Sequence, residues 1–304
     1  MKSILLGNTG LRVSSLALGT ARLGKSASGV DDAEARRALV RFAEAGGTLF
    51  DSSNAYQDGL AEVLLGDFLR DLGRDAFVVC TKYGRPTNAT SPARRVGAHR
   101  GAMRDEVESS LRRLRTDRID LYLVHFDDGV TPMEEILRGL DDLSREGKIV
   151  HAGLSNFPAW RIAAGAALAD ARGWTPLVAL QMQYHLGERS IEREHLPLAR
   201  ARGMTMMAWS PLGGGTVLQH AGLSSIADAR GCDPASVAIA WVQAKGVLPV
   251  LGARNAAHLD ATLAELSLTP DELAILDGTF ERGYPYALLD QVREAQGLPR
   301  RDVY

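Results

Sequence analysis

The sequence has almost no cysteine: Cys80 and Cys232 lie far apart among 304 residues. This excludes a disulfide scaffold and points to a reduced compartment. It also lacks a charge excess of either sign. A formal charge of −2 leaves no basic footprint for nucleic acid or for an anionic membrane surface. No apolar run approaches the length of a membrane span. Met1-Lys2-Ser3-Ile4-Leu5-Leu6 meets Gly7-Asn8 too soon to be a signal-peptide core. The expectation is a cytoplasmic protein with neither nucleic acid nor membrane as partner. The seven histidines are scattered, with no pair at HExxH spacing, so no metal site is expected. A G-x-G-x-x-G dinucleotide fingerprint is missing as well.

What the chain does have is alternation. Residues 3–18 read as a hairpin about Gly7-Asn8-Thr9-Gly10. Strand-like runs then recur at 16–18, 48–50, 77–81, 121–124, 149–154, 177–181, 205–209 and 247–251, with helical patterns between them. The first helix is expected over 31–45, capped by Asp31 or Asp32 and stopped by Gly46-Gly47. Another opens on Thr131-Pro132-Met133-Glu134, a capping box with proline at its first turn, and ends at Gly147. Asp233-Pro234 and Thr269-Pro270 start helices in the same way. Eight strand–helix units without a linker predict a single domain over 1–304, an α/β (β/α)₈ TIM barrel whose base the N-terminal β-hairpin closes. The rival is an open doubly wound sheet, which has the same local signature.

Polar residues at the C-terminal ends of barrel strands gather on the catalytic face. Asp51, Tyr56, Lys82 and His125 each follow such a run. Singly, each has an ordinary reading: a helix cap, a packed ring, a solvated lysine, a hydrogen-bonded core histidine. Jointly they suit proton transfer to a carbonyl oxygen. A phenol donates the proton, a nearby ammonium lowers its pKa, a carboxylate keeps that ammonium charged, and an imidazole orients the carbonyl or helps relay the proton. A phenol poised in this way implies a hydride donor. The competing motif Gly19-Thr20-Ala21-Arg22-Leu23-Gly24-Lys25-Ser26 matches a phosphate loop. Its chemistry needs a helix starting at the lysine, and the first credible helix begins only at Asp31. Gly153-Leu154-Ser155-Asn156 begins like a nucleophile elbow, but Phe157 replaces the required glycine.

Four segments carry a resemblance over essentially the whole chain. They are Phe50-Asp51-Ser52-Ser53-Asn54-Ala55-Tyr56, Thr81-Lys82-Tyr83, Ser109-Ser110-Leu111-Arg112-Arg113-Leu114 with Asp117-Arg118-Ile119-Asp120-Leu121-Tyr122-Leu123-Val124-His125, and Gly147-Lys148-Ile149-Val150-His151-Ala152-Gly153-Leu154-Ser155-Asn156-Phe157. The chain resembles the aldo-keto reductase superfamily, in particular its bacterial and potassium-channel-β-subunit-like branch. The resemblance implies an NAD(P)H-dependent oxidoreductase that reduces an aldehyde or ketone to an alcohol, reversibly. NADPH is expected as cofactor, with NADH as the alternative. Tyr56 becomes the general acid, Lys82 and Asp51 its tuning pair, and His125 the carbonyl-orienting residue.

The same resemblance assigns Ser155, Asn156 and Gln181 to the nicotinamide carboxamide, Asp51 also to the nicotinamide ribose, and Trp209 to a stack on the ring. Ser210, Leu212, Gly213 and Gly215 fall in the pyrophosphate loop, with Gly19 and Thr20 also at the cofactor, and Arg254 answers a 2′-phosphate. Where arginine and asparagine are frequent, this chain has His258 and Thr262. Ala21, Arg22, Tyr83 and Phe126 are expected around a small carbonyl substrate, with Tyr284 and Tyr286 of the tail bordering the cleft. The segment 85–100 carries Arg85, Arg94, Arg95 and Arg100 and no acid; it reads first as a solvated basic loop, the alternatives being that it attracts an anionic substrate or covers the cofactor. The alternatives are a nucleotide-binding regulatory subunit with little turnover, or a sugar or alcohol dehydrogenase working oxidatively. The oligomeric state is not legible.

Overall fold

The computed structural model describes residues 1–24, 29–252 and 256–278. Two short strands, β1 (Ser3–Leu5) and β2 (Arg12–Ser14), form an antiparallel hairpin with Ser3 opposite Ser14. The hairpin ends at Ser14. The apolar residues that follow belong instead to β3 (Ala17–Gly19), the first barrel strand. Next come β4 (Leu49–Asp51), β5 (Val78–Tyr83), β6 (Ile119–Val124), β7 (Ile149–Ser155), β8 (Leu177–Gln183), β9 (Thr205–Trp209) and β10 (Leu248–Gly252). All pair in parallel with their neighbours, and β10 closes onto β3, giving a (β/α)₈ barrel. The open-sheet alternative is thereby excluded.

Alternation along each strand decides which residues enter the barrel. Leu49, Val78, Cys80, Leu121, Leu123, Ala179, Met207, Leu248 and Val250 form the inner cluster, and Leu6 and Val13 of the hairpin region plug it from below. Phe50, Val79, Tyr83, Tyr122 and Val124 point outward into the larger cluster beneath the helices. The hairpin turn is pressed against the base. Gly7 adopts φ 57°, and a Cβ there would come within 2.5 Å of the Val178 carbonyl oxygen, so only glycine fits this approach.

The helices start where local chemistry favours them. Helix α1 (Asp32–Glu44) is capped by Asp31, whose side chain accepts from the Glu34 N–H. Helices α2 (Leu60–Leu72) and α3 (Arg100–Leu114) follow β4 and β5. Helix α4 (Met133–Arg145) departs from expectation: Pro132 occupies the cap position without a side-chain cap bond. The Thr131 hydroxyl instead donates to Asp128 Oδ2, so the predicted capping box does not form. After α5 (Ala159–Arg172), α6 (His195–Arg202) and α7 (Ala221–Arg230), helix α8 (Pro234–Ala244) is capped by Asp233. Beyond α9 (Ala256–Leu263), helix α10 (Pro270–Asp277) carries a complete capping box between Thr269 and Glu272. Among the described residues no helix is long and apolar enough to cross a membrane.

Candidate active site

Strand parity brings three of the four proposed catalytic groups together. Asp51 continues the inward series from Leu49, Lys82 continues it from Val78 and Cys80, and His125 from Leu121 and Leu123. Lys82 is fully buried, and its Nζ donates to Asp51 Oδ2 at 2.6 Å and to the Ser52 carbonyl at 2.9 Å. Its third contact is the Tyr56 hydroxyl at 3.4 Å. The Tyr56 ring meets the His125 ring edge-on, with centroids 5.8 Å apart. Gln181 Nε2 donates to the other Asp51 oxygen at 2.7 Å, so both carboxylate oxygens are held.

Tyr56 comes from the loop after β4. The two residues beyond it, Gln57 and Asp58, have positive φ of 52° and 57°, a conformation costly for residues with a side chain. Gln57 Nε2 donates to the Ala21 carbonyl at 2.7 Å and ties this loop to the one after β3. Ser53 Oγ lies 3.1 Å from His125 Nδ1. A hydroxyl donating there leaves the ring proton on Nε2, the tautomer that offers a donor to the cleft.

The electrostatics differ in part from the sequence argument. Burial works against the Lys82 ammonium and is the largest single influence on it, but Asp51, Tyr56 and Cys80 together outweigh it and the net shift is upward. Burial also raises the Tyr56 phenol, and the Lys82 charge reverses that only in part. The expected net lowering of Tyr56 is therefore corrected, because desolvation of the phenolate is the larger effect. His125 is held well below the usual imidazole range by burial, then by the charges of Lys82 and Arg85. The site thus presents a neutral phenol and a neutral imidazole beside a buried ion pair.

A cleft of about 550 Å³ opens over this group. Gly19, Arg22, Asp51, Tyr56, His125, Phe126, Asn156, Gln181, Trp209 and Ser210 all border it. Thr20 and Ser155 are fully buried behind it, the Thr20 hydroxyl near the Asp51 carbonyl and the Ser52 hydroxyl. Tyr83 is a correction. As the residue after Lys82 it must face the opposite side of β5, where it stacks on Tyr122 at 5.3 Å and donates to the Ala98 carbonyl. It has no exposure to the cleft. The basic segment is also not simply solvated: Arg94 pairs with Asp105, Arg95 with the buried Glu106, and Arg100 with Asp142. Arg85 reaches the cleft and lies over the Phe126 ring. Arg254, Tyr284, Tyr286 and the Lys25-Ser26 end of the phosphate-loop match lie outside the described residues. A second hollow, of about 580 Å³, lies at the opposite end beside the hairpin and has no comparable set of titratable groups.

The aldo/keto reductase family model matches residues 15–281. The chain belongs to the aldo/keto reductase family. It is 31% identical to a putative aryl-alcohol dehydrogenase of Saccharomyces cerevisiae, over 94% of this chain and 89% of that protein. A norsolorinic acid reductase of Emericella nidulans is 32% identical, over 92% and 82% respectively. An NADP(+) aryl-alcohol dehydrogenase of Phanerodontia chrysosporium is 32% identical, over 92% and 86%. Membership makes this an oxidoreductase of the carbonyl–alcohol pair, in a family that generally uses nicotinamide cofactors.

For this aldo/keto reductase, the residues bordering the cleft fit a nicotinamide. Trp209 offers a ring wall, and its Nε1 donates to Asn156 Oδ1 at 3.0 Å, which fixes the indole. Asn156 Nδ2 donates to the His125 carbonyl and to Ser155 Oγ, both at 2.9 Å. Asn156 and Ser210 both have positive φ, 57° and 51°, where their strands turn over the cleft. Gly213 and Gly215 fold into a 3₁₀ stretch with Leu212 at its start, and their N–H groups bond the Ser210 and Leu212 carbonyls at 2.8 Å. These three therefore lie beside the cleft without lining it. Near the expected 2′-phosphate region, the buried Thr262 turns its hydroxyl to the Leu259 carbonyl.

Sequence reasoning missed the roles of Ser53 and Asn54. Both are fully buried polar residues within a segment already recognised, and a polar quartet Asp-Ser-Ser-Asn at a strand end was their signal.

Proposed function

We propose that this protein is an NADPH-dependent reductase of aromatic aldehydes or ketones, with Tyr56 as the proton donor. The carrying observation is the Lys82 ammonium held between Asp51 Oδ2 at 2.6 Å and the Tyr56 hydroxyl at 3.4 Å. Bound dihydronicotinamide would supply the hydride to the carbonyl carbon. Tyr56 gives its hydroxyl proton to the carbonyl oxygen, so C=O becomes CH–OH and a phenolate remains on the enzyme. Lys82 stabilises that phenolate until water returns the proton. His125, neutral and donating from Nε2, orients the carbonyl oxygen and shares its developing charge. Asp51, itself held by Gln181, keeps Lys82 in place, and Trp209, Asn156 and Gln181 would hold the cofactor ring, with Ser155 bracing Asn156 from behind. Run backward, the same groups oxidise an alcohol.

The aromatic class is supported by the rings of Tyr56, Phe126 and Trp209 around the cleft and by relatives named for aryl alcohols. NADPH is supported by the relative named for NADP(+). The test is nicotinamide oxidation by purified protein with a panel of aryl aldehydes and ketones, using NADPH and NADH in turn. Turnover with a higher kcat/KM for NADPH is expected. A preference for NADH would sink the cofactor assignment, and no turnover of any carbonyl would sink the reaction.

A further inference from the structure

We propose that Arg85 recognises a carboxylate on the substrate, making this an enzyme for aromatic carbonyl compounds that carry an anionic group. The proposal rests on the reductase reading above. Among the described residues that line the cleft, Asp51 is the one acid, and Lys82 neutralises it. Among the described lining residues, Arg85 is a further charged group, an arginine at the mouth of the cleft. Arg85 differs from the other arginines of its segment. Arg94, Arg95 and Arg100 each have a carboxylate partner, whereas no ion pair involves Arg85 among the described residues.

The placement of Arg85 is built. Its guanidinium lies 5.6 Å from the Phe126 ring centre, and Phe126 stacks on His125 with centroids 4.6 Å apart and planes 15° from parallel. One aromatic ring thus separates the cation from the imidazole that faces the reacting carbonyl. The backbone beneath is fixed: the buried amide of Asn54 donates to the Arg85 carbonyl at 3.0 Å and to Glu106 Oε2 at 2.9 Å. Glu106 is in turn paired with Arg95. Asn54 adjoins Ser53, the partner of His125, so one short segment positions both the imidazole and the backbone that carries Arg85. The Arg85 charge also contributes to holding His125 neutral. An arylaldehyde with a para-carboxylate presents its carbonyl and its anion at opposite ends of one ring, so it can address the Tyr56–His125 pair and Arg85 separately.

The experiment compares para-carboxybenzaldehyde with para-methylbenzaldehyde on the wild-type protein, Arg85→Gln and Arg85→Lys, with NADPH saturating. Wild type should prefer the carboxylate by about ten- to a hundredfold in kcat/KM, the range for one charge-assisted hydrogen-bonded contact. Arg85→Gln should bring that ratio close to one, mainly through KM for the acid, and Arg85→Lys should retain part of it. Equal kcat/KM for the two aldehydes in wild type overturns the inference. So does an Arg85→Gln effect confined to the KM for NADPH. If neither aldehyde is turned over, the reductase reading fails separately. Calorimetric titration with the same two aldehydes then decides the inference: carboxylate-dependent binding lost in Arg85→Gln supports it, and equal binding overturns it.

Discussion

At the scale of single residues, the ion pair of Asp51 and Lys82 is both a stability element and a chemical one. With both side chains buried, removal of one partner leaves an uncompensated charge, which costs roughly 3–5 kcal/mol. Lys82→Met should therefore lower the urea midpoint strongly, and Asp51→Asn combined with Lys82→Met should recover part of the loss. A double variant no more stable than the worse single one would show that the pair is not the cause. Tyr56 is different, because part of it faces the cleft. Tyr56→Phe should reduce kcat by about 10²–10⁴, the usual contribution of a positioned acid, while the thermal midpoint stays near wild type. Wild-type turnover in that variant would refute the assigned proton donor. Since the Tyr56 phenol is shifted upward from its ordinary value, carbonyl reduction should hold its rate until above about pH 10. An alkaline loss beginning near neutrality would contradict that direction.

At the scale of elements, the two-residue period of a strand explains both what the sequence disclosed and what it concealed. Lys82 and Tyr83 are consecutive in β5, so at most one can face the barrel interior. The strand runs, their order and the residues at their ends were legible because each run is short, apolar and followed by a polar group. Counting parity from Cys80 would have assigned Tyr83 outward as well. The hydrogen bond from Tyr83 to the Ala98 carbonyl was not legible, since it joins positions brought together only by the loop before α3. Nor were the partners of Arg94, Arg95 and Arg100, whose carboxylates lie on α3 and α4. A run of arginines without acids nearby in sequence looks solvated until the helices pack beside it. The predicted box at Thr131 failed for a local reason: Asp128, three residues earlier, captures the hydroxyl first. Tyr83→Phe tests the parity argument directly. It should cost about 1 kcal/mol by leaving a buried carbonyl without its donor, and leave kcat/KM within about twofold. A large rise in substrate KM would place Tyr83 at the cleft after all.

At the scale of the whole molecule, the distribution of histidines makes stability depend on acidity. His125, His151, His185 and His195 are all shifted downward, each chiefly by burial. His125 and His195 are the most enclosed, at 5% and 0% exposure. In the unfolded chain each would take up a proton near its reference value of about 6.5, whereas the folded chain resists it. Between that value and the lower folded one, the unfolded state binds more protons, so stability rises with pH and falls on acidification. Each fully buried histidine contributes a slope of up to roughly 1.4 kcal/mol per pH unit in this window. The depressed carboxylates act later: Glu272, lowered to about 2 by Arg230 and by the Thr269 N–H, withdraws its contribution only as pH falls from 4.5 towards that value. The denaturation midpoint should therefore drop between about pH 7 and pH 5, before the carboxylates take part. His195→Gln, which retains an N–H donor for the Phe157 carbonyl but does not titrate, should flatten this dependence. A midpoint unchanged between those two pH values, or an unaltered slope in His195→Gln, would show that the buried imidazoles do not govern the acid response.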